Sequence, residues 1–163
     1  MRQLLNINYN IPKKSLGQNF IIDKNFLHKI GQSVKTDIKT IIIEIGPGKG
    51  ALTNILVKKK FKKLLLIEKD TQLSKILEKK YINQSNINII NEDALKFDYN
   101  IFSKKQNIII IGNLPYNIST QLLFKWLESI EWPPFYKKMV LMFQKEVAER
   151  ILAGPNNKKY SRI

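Results

Sequence analysis

The chain has no cysteine and a single histidine among its 163 residues. Disulfides and thiolate metal sites are thereby excluded, and a Ser-His-Asp triad would have to use His28. Long apolar runs are missing too. Every hydrophobic stretch falls well short of the roughly 18 residues a membrane-spanning helix needs, and lysines interrupt them. The opening residues Met1-Arg2-Gln3-Leu4-Leu5-Asn6 lack the apolar core and small-residue cleavage site of a secretory signal. These absences lead to the expectation of a cytoplasmic protein without a membrane partner. Acidic residues are scarce: 13 Asp and Glu stand against 28 Lys and Arg, a net charge of +15. Such an excess is the natural complement of a polyanion. The lysines come in doublets along the whole chain, and part of that richness is compositional, since Ile and Asn are abundant as well.

Against this background the most informative residues are Asn113-Leu114-Pro115-Tyr116. They follow Ile108-Ile109-Ile110-Ile111-Gly112, a run that reads as a strand buried on both faces and stopped by Pro115. A strand end in an open α/β sheet is where ligands bind. An amide and a nearby backbone carbonyl can accept two hydrogen bonds from one exocyclic amino group, and a tyrosine ring can stack on the heterocycle that bears it. That combination suits adenine. The bland alternative is a strand followed by a Pro-containing turn.

A glycine-rich site earlier in the chain favours the sharper reading. Ile41-Ile42-Ile43-Glu44-Ile45 is a second buried-strand pattern, and it runs into Gly46-Pro47-Gly48-Lys49-Gly50. Leu52, Ile55 and Leu56 then recur at helical spacing, which predicts a helix over 51–60. The next apolar strand ends in Glu68, 22 positions after Gly46, where a carboxylate can accept from both hydroxyls of a ribose. Another, Ile87-Asn88-Ile89-Ile90, leads to Asp93. Glu44, Glu68, Asp93 and Asn113 thus stand at successive strand ends, as one elongated cofactor lying across the sheet edge would require. Gly46-x-Gly48-x-x-Ala51 formally satisfies a dinucleotide fingerprint, so a nicotinamide or flavin oxidoreductase is an alternative. Glu44-x-Gly46-x-Gly48-x-Gly50 fits better the loop of S-adenosylmethionine enzymes, with Asp93 receiving the adenine amine. Five strands are expected, near 41–46, 63–68, 87–91, 107–112 and 137–143. The fold class is a doubly wound α/β domain with a mainly parallel sheet and helices on both faces. Phe26, Leu27, Ile30 and Val34 predict a helix capped by Asp23, with His28 at its surface. Leu122, Leu123, Trp126, Leu127 and Ile130 predict a core-packing helix begun by Ser119 or Thr120. Trp132-Pro133-Pro134 reads as the turn into the fifth strand.

Four ordered segments carry a family resemblance: Lys14-Ser15-Leu16-Gly17-Gln18-Asn19-Phe20-Ile21, the glycine loop after Glu44, Asn113 to Thr120, and Gln144-Lys145-Glu146-Val147-Ala148-Glu149-Arg150. Together they resemble the ribosomal RNA adenine N6,N6-dimethyltransferases, and within them the small-subunit, kasugamycin-sensitivity branch. The resemblance implies a Rossmann-like, class I S-adenosylmethionine-dependent methyltransferase domain with no metal. By similarity, Asn19, Ile21, Gly46, Glu68, Asp93 and Asn113 would hold S-adenosylmethionine. Asn113, Leu114, Pro115 and Tyr116 would form the catalytic segment, Tyr116 stacking on the target adenine and Phe143 covering its other face. The implied reaction is dimethylation of adenosines in a loop near the 3′ end of small-subunit rRNA, by a monomer whose partner is the ribosomal subunit. Alternatives on the same fold are a large-subunit methylase conferring macrolide resistance and a nucleic-acid-binding factor without turnover. The family continues with further sheet strands and a small helical domain. Residues 1–163 would then be a methyltransferase domain incomplete at its C-terminus. Lys13, Lys14, Lys145 and Arg150 flank the expected pocket in sequence and are expected to meet phosphates.

Overall fold

In the computed structural model, residues 23–128 and 132–160 are described. Five strands form one parallel sheet: β1 (Thr40–Ile45), β2 (Lys63–Ile67), β3 (Ile87–Ile90), β4 (Asn107–Asn113) and β5 (Lys138–Met142). Their spatial order is β3-β2-β1-β4-β5. All five expected strands are present within a residue or two of the expected limits. The apolar runs explain why: all six residues of β1 are buried, as are the five central residues of β4. A strand covered on both faces has no polar face to alternate with.

Helices α1 (Lys24–Ser33), α2 (Thr53–Leu56) and α3 (Thr71–Lys80) cover one face. There Leu27, Ile30, Val34, Leu52, Leu56 and Leu77 pack on Ile42, Leu64, Leu66, Ile109 and Ile111. The Asp23 carboxylate caps α1 by accepting from the N–H groups of Asn25 and Phe26, at 2.8 and 3.2 Å. His28 is exposed, as expected, but so is Phe26, which lies outside the buried stripe. The other face carries α4 (Ser119–Glu128) and is aromatic. Trp126, fully buried, meets Tyr99 edge-on at 5.8 Å, while Tyr99 stacks on Phe135 and Phe97 lies edge-on to it. A last helix, α5 (Lys145–Leu152), follows β5.

The helix expected over 51–60 is much shorter. Only Thr53–Leu56 is helical, and the chain then turns through Lys58 N–H to Ile55 O and Lys59 N–H to Leu56 O. The Lys62 N–H must reach Thr40 O, at 2.7 Å, to bring β2 beside β1. That leaves no length for a further helical turn.

The order places β2 and β3 on one side of β1, and β4 and β5 on the other. The connections therefore diverge at the C-terminal ends of β1 and β4, where a crevice opens in such sheets. Among the described residues, no helix is long and apolar enough to cross a membrane.

Candidate active site at the divergence of β1 and β4

Gly46, the first residue past β1, and Asn113, the last of β4, meet in this crevice. The Gly46 N–H donates to Ile67 O at 3.0 Å, tying the loop to the end of β2. Its φ of +63° is one that side-chain-bearing residues rarely adopt. A Cβ built there would lie 3.7 Å from both the Asn113 carbonyl and the Pro115 ring. The missing side chain thus leaves a cradle between the glycine loop and the Asn-Leu-Pro-Tyr segment. One step back the sheet is tighter still. A Cβ on Gly112 would fall 2.5 Å from the Ile45 carbonyl oxygen, so only glycine lets β4 pass β1 at this height.

Asn113-Leu114-Pro115-Tyr116 turns outward from there. Leu114 is buried beneath the site, against the cluster that holds Trp126. The Pro115 carbonyl accepts from Ile118 N–H at 3.1 Å, and the Tyr116 carbonyl from the Ser119 hydroxyl at 3.3 Å. These bonds close the turn that starts α4. Tyr116 is 38% exposed. Phe143 stands one residue past Met142, the register partner of Asn113, and packs at the margin of the same cluster.

Glu68 ends β2 with both carboxylate oxygens occupied by the backbone. Oε2 accepts from Gly48 N–H at 3.0 Å and Oε1 from Asp70 N–H at 2.9 Å. Burial pushes its pKa above the ordinary carboxylate value, although the Asp70 and Gly48 amides pull the other way. The carboxylate thereby pins the glycine loop to the end of β2. Asp93 lies beyond β3. Its Oδ1 accepts from Leu95 N–H at 3.0 Å and its Oδ2 pairs with the Lys69 ammonium at 2.8 Å. Partial burial raises its pKa, but the Lys69 and Leu95 bonds outweigh this and hold the carboxyl below its usual value.

Glu44 corrects the expectation of four polar groups facing one cofactor. It is 1% exposed and points into the aliphatic core, where its Oε2 accepts from the Thr53 hydroxyl at 2.8 Å. Burial raises its pKa to about 8, opposed by the Thr53 bond. Tyr81, at the end of α3, donates to Asn54 Oδ1 at 3.0 Å and reaches toward Gly50. Burial, followed by the charge of Glu44, lifts the Tyr81 hydroxyl to about 12. Glu44, Thr53, Asn54 and Tyr81 thus support the glycine loop from below.

Gly46, Glu68, Asp93, Asn113, Leu114, Pro115 and Tyr116 all stand at the C-terminal edge of the sheet. Asn19 and Ile21, like Lys13 and Lys14, lie outside the described residues. Lys145 and Arg150 are exposed on α5. Thr53, Lys69 and Gly112 were not singled out in the sequence. Gly112 alone left a signal there, as a glycine interrupting an isoleucine run.

The family model for ribosomal RNA adenine dimethylase matches residues 10–163. Ribosomal RNA small subunit methyltransferase A of Pelagibacter ubique is 47% identical over 151 residues, 93% of this chain and 56% of that protein. The chain therefore spans about half the length of the curated relatives it matches. A dimethyladenosine transferase from Plasmodium falciparum superposes with a TM-score of 0.72 at 34% identity, covering 85% of this chain and 48% of that one. The 23S rRNA methyltransferase ErmE superposes with a TM-score of 0.69 at 25% identity, covering 81% and 50%. The fold is the Rossmann-like one of class I S-adenosylmethionine-dependent methyltransferases. With its matching family model and relatives, the chain belongs to the ribosomal RNA adenine dimethylase family.

Proposed function

We propose that the chain is the S-adenosylmethionine-binding part of an enzyme that dimethylates adenosine N6 in small-subunit ribosomal RNA. The observation that carries this reading is the cradle where Gly46 faces Asn113 and Pro115, a methyl-donor loop set against an acceptor-amine segment. The residues fit the cofactor. Gly46 leaves room for the methionyl part, Glu68 offers a carboxylate to the ribose, and Asp93 offers one to the adenine amine. Asn19 and Ile21 are assigned to the same cofactor by family likeness. The cofactor supplies an electrophilic methyl group on a sulfonium.

The protein's own task is to make a poor nucleophile attack. The lone pair of adenine N6 is delocalised into the ring. Acceptors for its two hydrogens favour a more tetrahedral nitrogen, whose lone pair is then free. The Asn113 side-chain oxygen is one acceptor. The Leu114 or Pro115 carbonyl is the other, the latter with one lone pair left beside its bond from Ile118 N–H. Tyr116 stacks on the extruded base, whose unstacking costs a few kcal/mol and favours adenines in loops. Holding nitrogen in line with the methyl group can contribute about 7–11 kcal/mol. No side chain has to take the proton before the nitrogen has become cationic. The reading carries with it a monomer acting in the cytoplasm, with the small ribosomal subunit as partner and two adjacent adenosines as targets.

The test combines this chain, tritiated S-adenosylmethionine and unmethylated small ribosomal subunits, followed by mass mapping of the RNA. Asn113→Ala should abolish transfer while S-adenosylmethionine affinity, read by calorimetry, changes only a few-fold. Substantial transfer by Asn113→Ala would overturn the mechanism. Cofactor binding with no transfer by the parent chain would instead favour an RNA-binding factor without turnover.

A further inference from the structure

We propose that the opposite, N-terminal edge of the sheet is a second RNA-binding surface, which grips the phosphodiester backbone of folded RNA away from the reacting base. The inference rests on the reading above that the substrate is ribosomal RNA. Because all five strands are parallel, every segment entering a strand gathers at one edge and every segment leaving gathers at the other. The two edges differ in charge. The segments leaving β1 to β4 carry Glu68, Asp70, Glu92 and Asp93 against Lys49, Lys69 and Lys96, and Lys145 and Glu146 balance each other after β5. The segment entering β2, residues 57–63, has five lysines in seven positions and no acid. Lys39 before β1, Lys105 before β4 and Lys137 before β5 extend the same rim, and all three are exposed, as are Lys58, Lys60 and Lys62.

A general richness in lysine would load both edges alike, so it does not explain this separation. Two neighbouring lysines have structural work and are left out of the proposal: Lys59 and Lys138 donate to the Val34 and Ser33 carbonyls at the end of α1, at 2.9 and 2.7 Å. Asp37 stays charged at this rim, its carboxyl held below its ordinary pKa by the Thr40 hydroxyl and the Lys39 N–H, and it offsets one lysine without reversing the excess. From this edge a cavity of about 320 Å³ runs along β3 to Ile90, lined by the polar Lys63, Asn88 and Gln106 together with Ile41, Leu65 and Phe102. An apolar floor with amides and an ammonium beside it suits an unstacked base better than a lipid headgroup. The seven residues of β4, at about 3.3 Å each, put the two edges roughly 23 Å apart. A short oligonucleotide engaged at the active edge does not reach the lysine rim, whereas a folded rRNA segment does.

The experiment compares the parent chain with the triple variant Lys58→Gln/Lys60→Gln/Lys62→Gln, and with Lys105→Gln/Lys137→Gln at the far end of the rim. Binding is measured against salt for a folded, unmethylated small-subunit rRNA fragment and for a short single-stranded adenosine oligonucleotide. Calorimetry with S-adenosylhomocysteine reports on the active edge. The triple variant should lower the slope of log K against log salt on the folded fragment by about 2. Oligonucleotide and S-adenosylhomocysteine binding should stay at parent values. An unchanged slope for both variants on folded RNA overturns the proposal, as does equal weakening on the oligonucleotide. Lost binding to anionic phospholipid vesicles with RNA binding intact would assign the rim to lipid and overturn it as well. A parent chain that binds neither S-adenosylhomocysteine nor RNA would sink the functional reading itself, an outcome distinct from a parent that binds both while the variants match it.

Discussion

The two faces of the sheet support the two halves of the site by different means. Beneath the glycine loop lies an aliphatic face of leucines and isoleucines, with a buried Thr53–Glu44 hydrogen bond and a Tyr81–Asn54 bond nearer the surface. Beneath Asn113-Leu114-Pro115-Tyr116 lies a face of packed rings, in which Trp126, Tyr99, Phe97 and Phe135 sit within 6 Å of a neighbouring ring. Aliphatic packing tolerates a shift of a few tenths of an ångström. Edge-on and stacked rings fix direction as well as volume. The segment assigned to orienting the base thus rests on directional ring packing, and the loop assigned to the cofactor takes its direction from hydrogen bonds instead.

The largest effect should come from the aromatic side. Trp126→Ala empties a fully buried site and should cost about 3–5 kcal/mol, read as a lower urea midpoint. In the surviving folded protein, methyl transfer should fall more than S-adenosylmethionine affinity, because Leu114 loses its support. Equal losses would break the division between the faces. Gly112→Ala comes next, at about 1–3 kcal/mol, since its methyl group would meet the Ile45 carbonyl backbone and no side chain can give way. It lies where the two halves join, so both affinity and transfer should drop.

Glu44 gives the aliphatic side a signature in pH. Its folded-state pKa of about 8 stands above its ordinary 4.5, so the native state favours the protonated form. Stability from this group is fully present below pH 4.5 and is lost as pH rises toward 8, because the unfolded chain releases the proton first. Glu44→Gln should flatten that decline, as seen in urea midpoints at pH 5.5 and 8.5. A decline that persists unchanged would assign it to another group. The smallest effect belongs to Lys69. Its ammonium holds the Asp93 oxygen assigned to the adenine amine, but the lysine is half-exposed, and such pairs are worth little. Lys69→Met should tighten S-adenosylhomocysteine binding about two- to five-fold by calorimetry, and Lys69→Arg should leave it unchanged.

Much of the fold was legible in the sequence because its signals are local. Four isoleucines before Asn113, three before Glu44 and three leucines before Glu68 each identify a doubly covered strand without tertiary knowledge. The glycine loop and the amide-proline segment are equally local, and their placement at one edge follows from parallel connections. What stayed hidden depends on distance in sequence. Nothing near Glu44 reveals that its side chain turns inward to Thr53. Nothing near Asp93 reveals that Lys69, at the end of another strand, reaches it. Helices α3 and α5 lie outside the expectations although their stripes, Leu73, Ile76 and Leu77 in one and Val147, Ala148 and Ile151 in the other, are present in the sequence. The helix after the glycine loop is shorter than its periodicity predicts because the Lys62–Thr40 bond that truncates it joins residues distant in sequence.

Gly112 has a consequence for engineering. With the Ile45 carbonyl pressed against its bare α-carbon, the two strands are welded at the level where the proposed methyl donor and target base would meet. A designer who wished to retune one pocket and spare the other would find no slack there, so a new methyl donor and a new target base would have to be selected jointly.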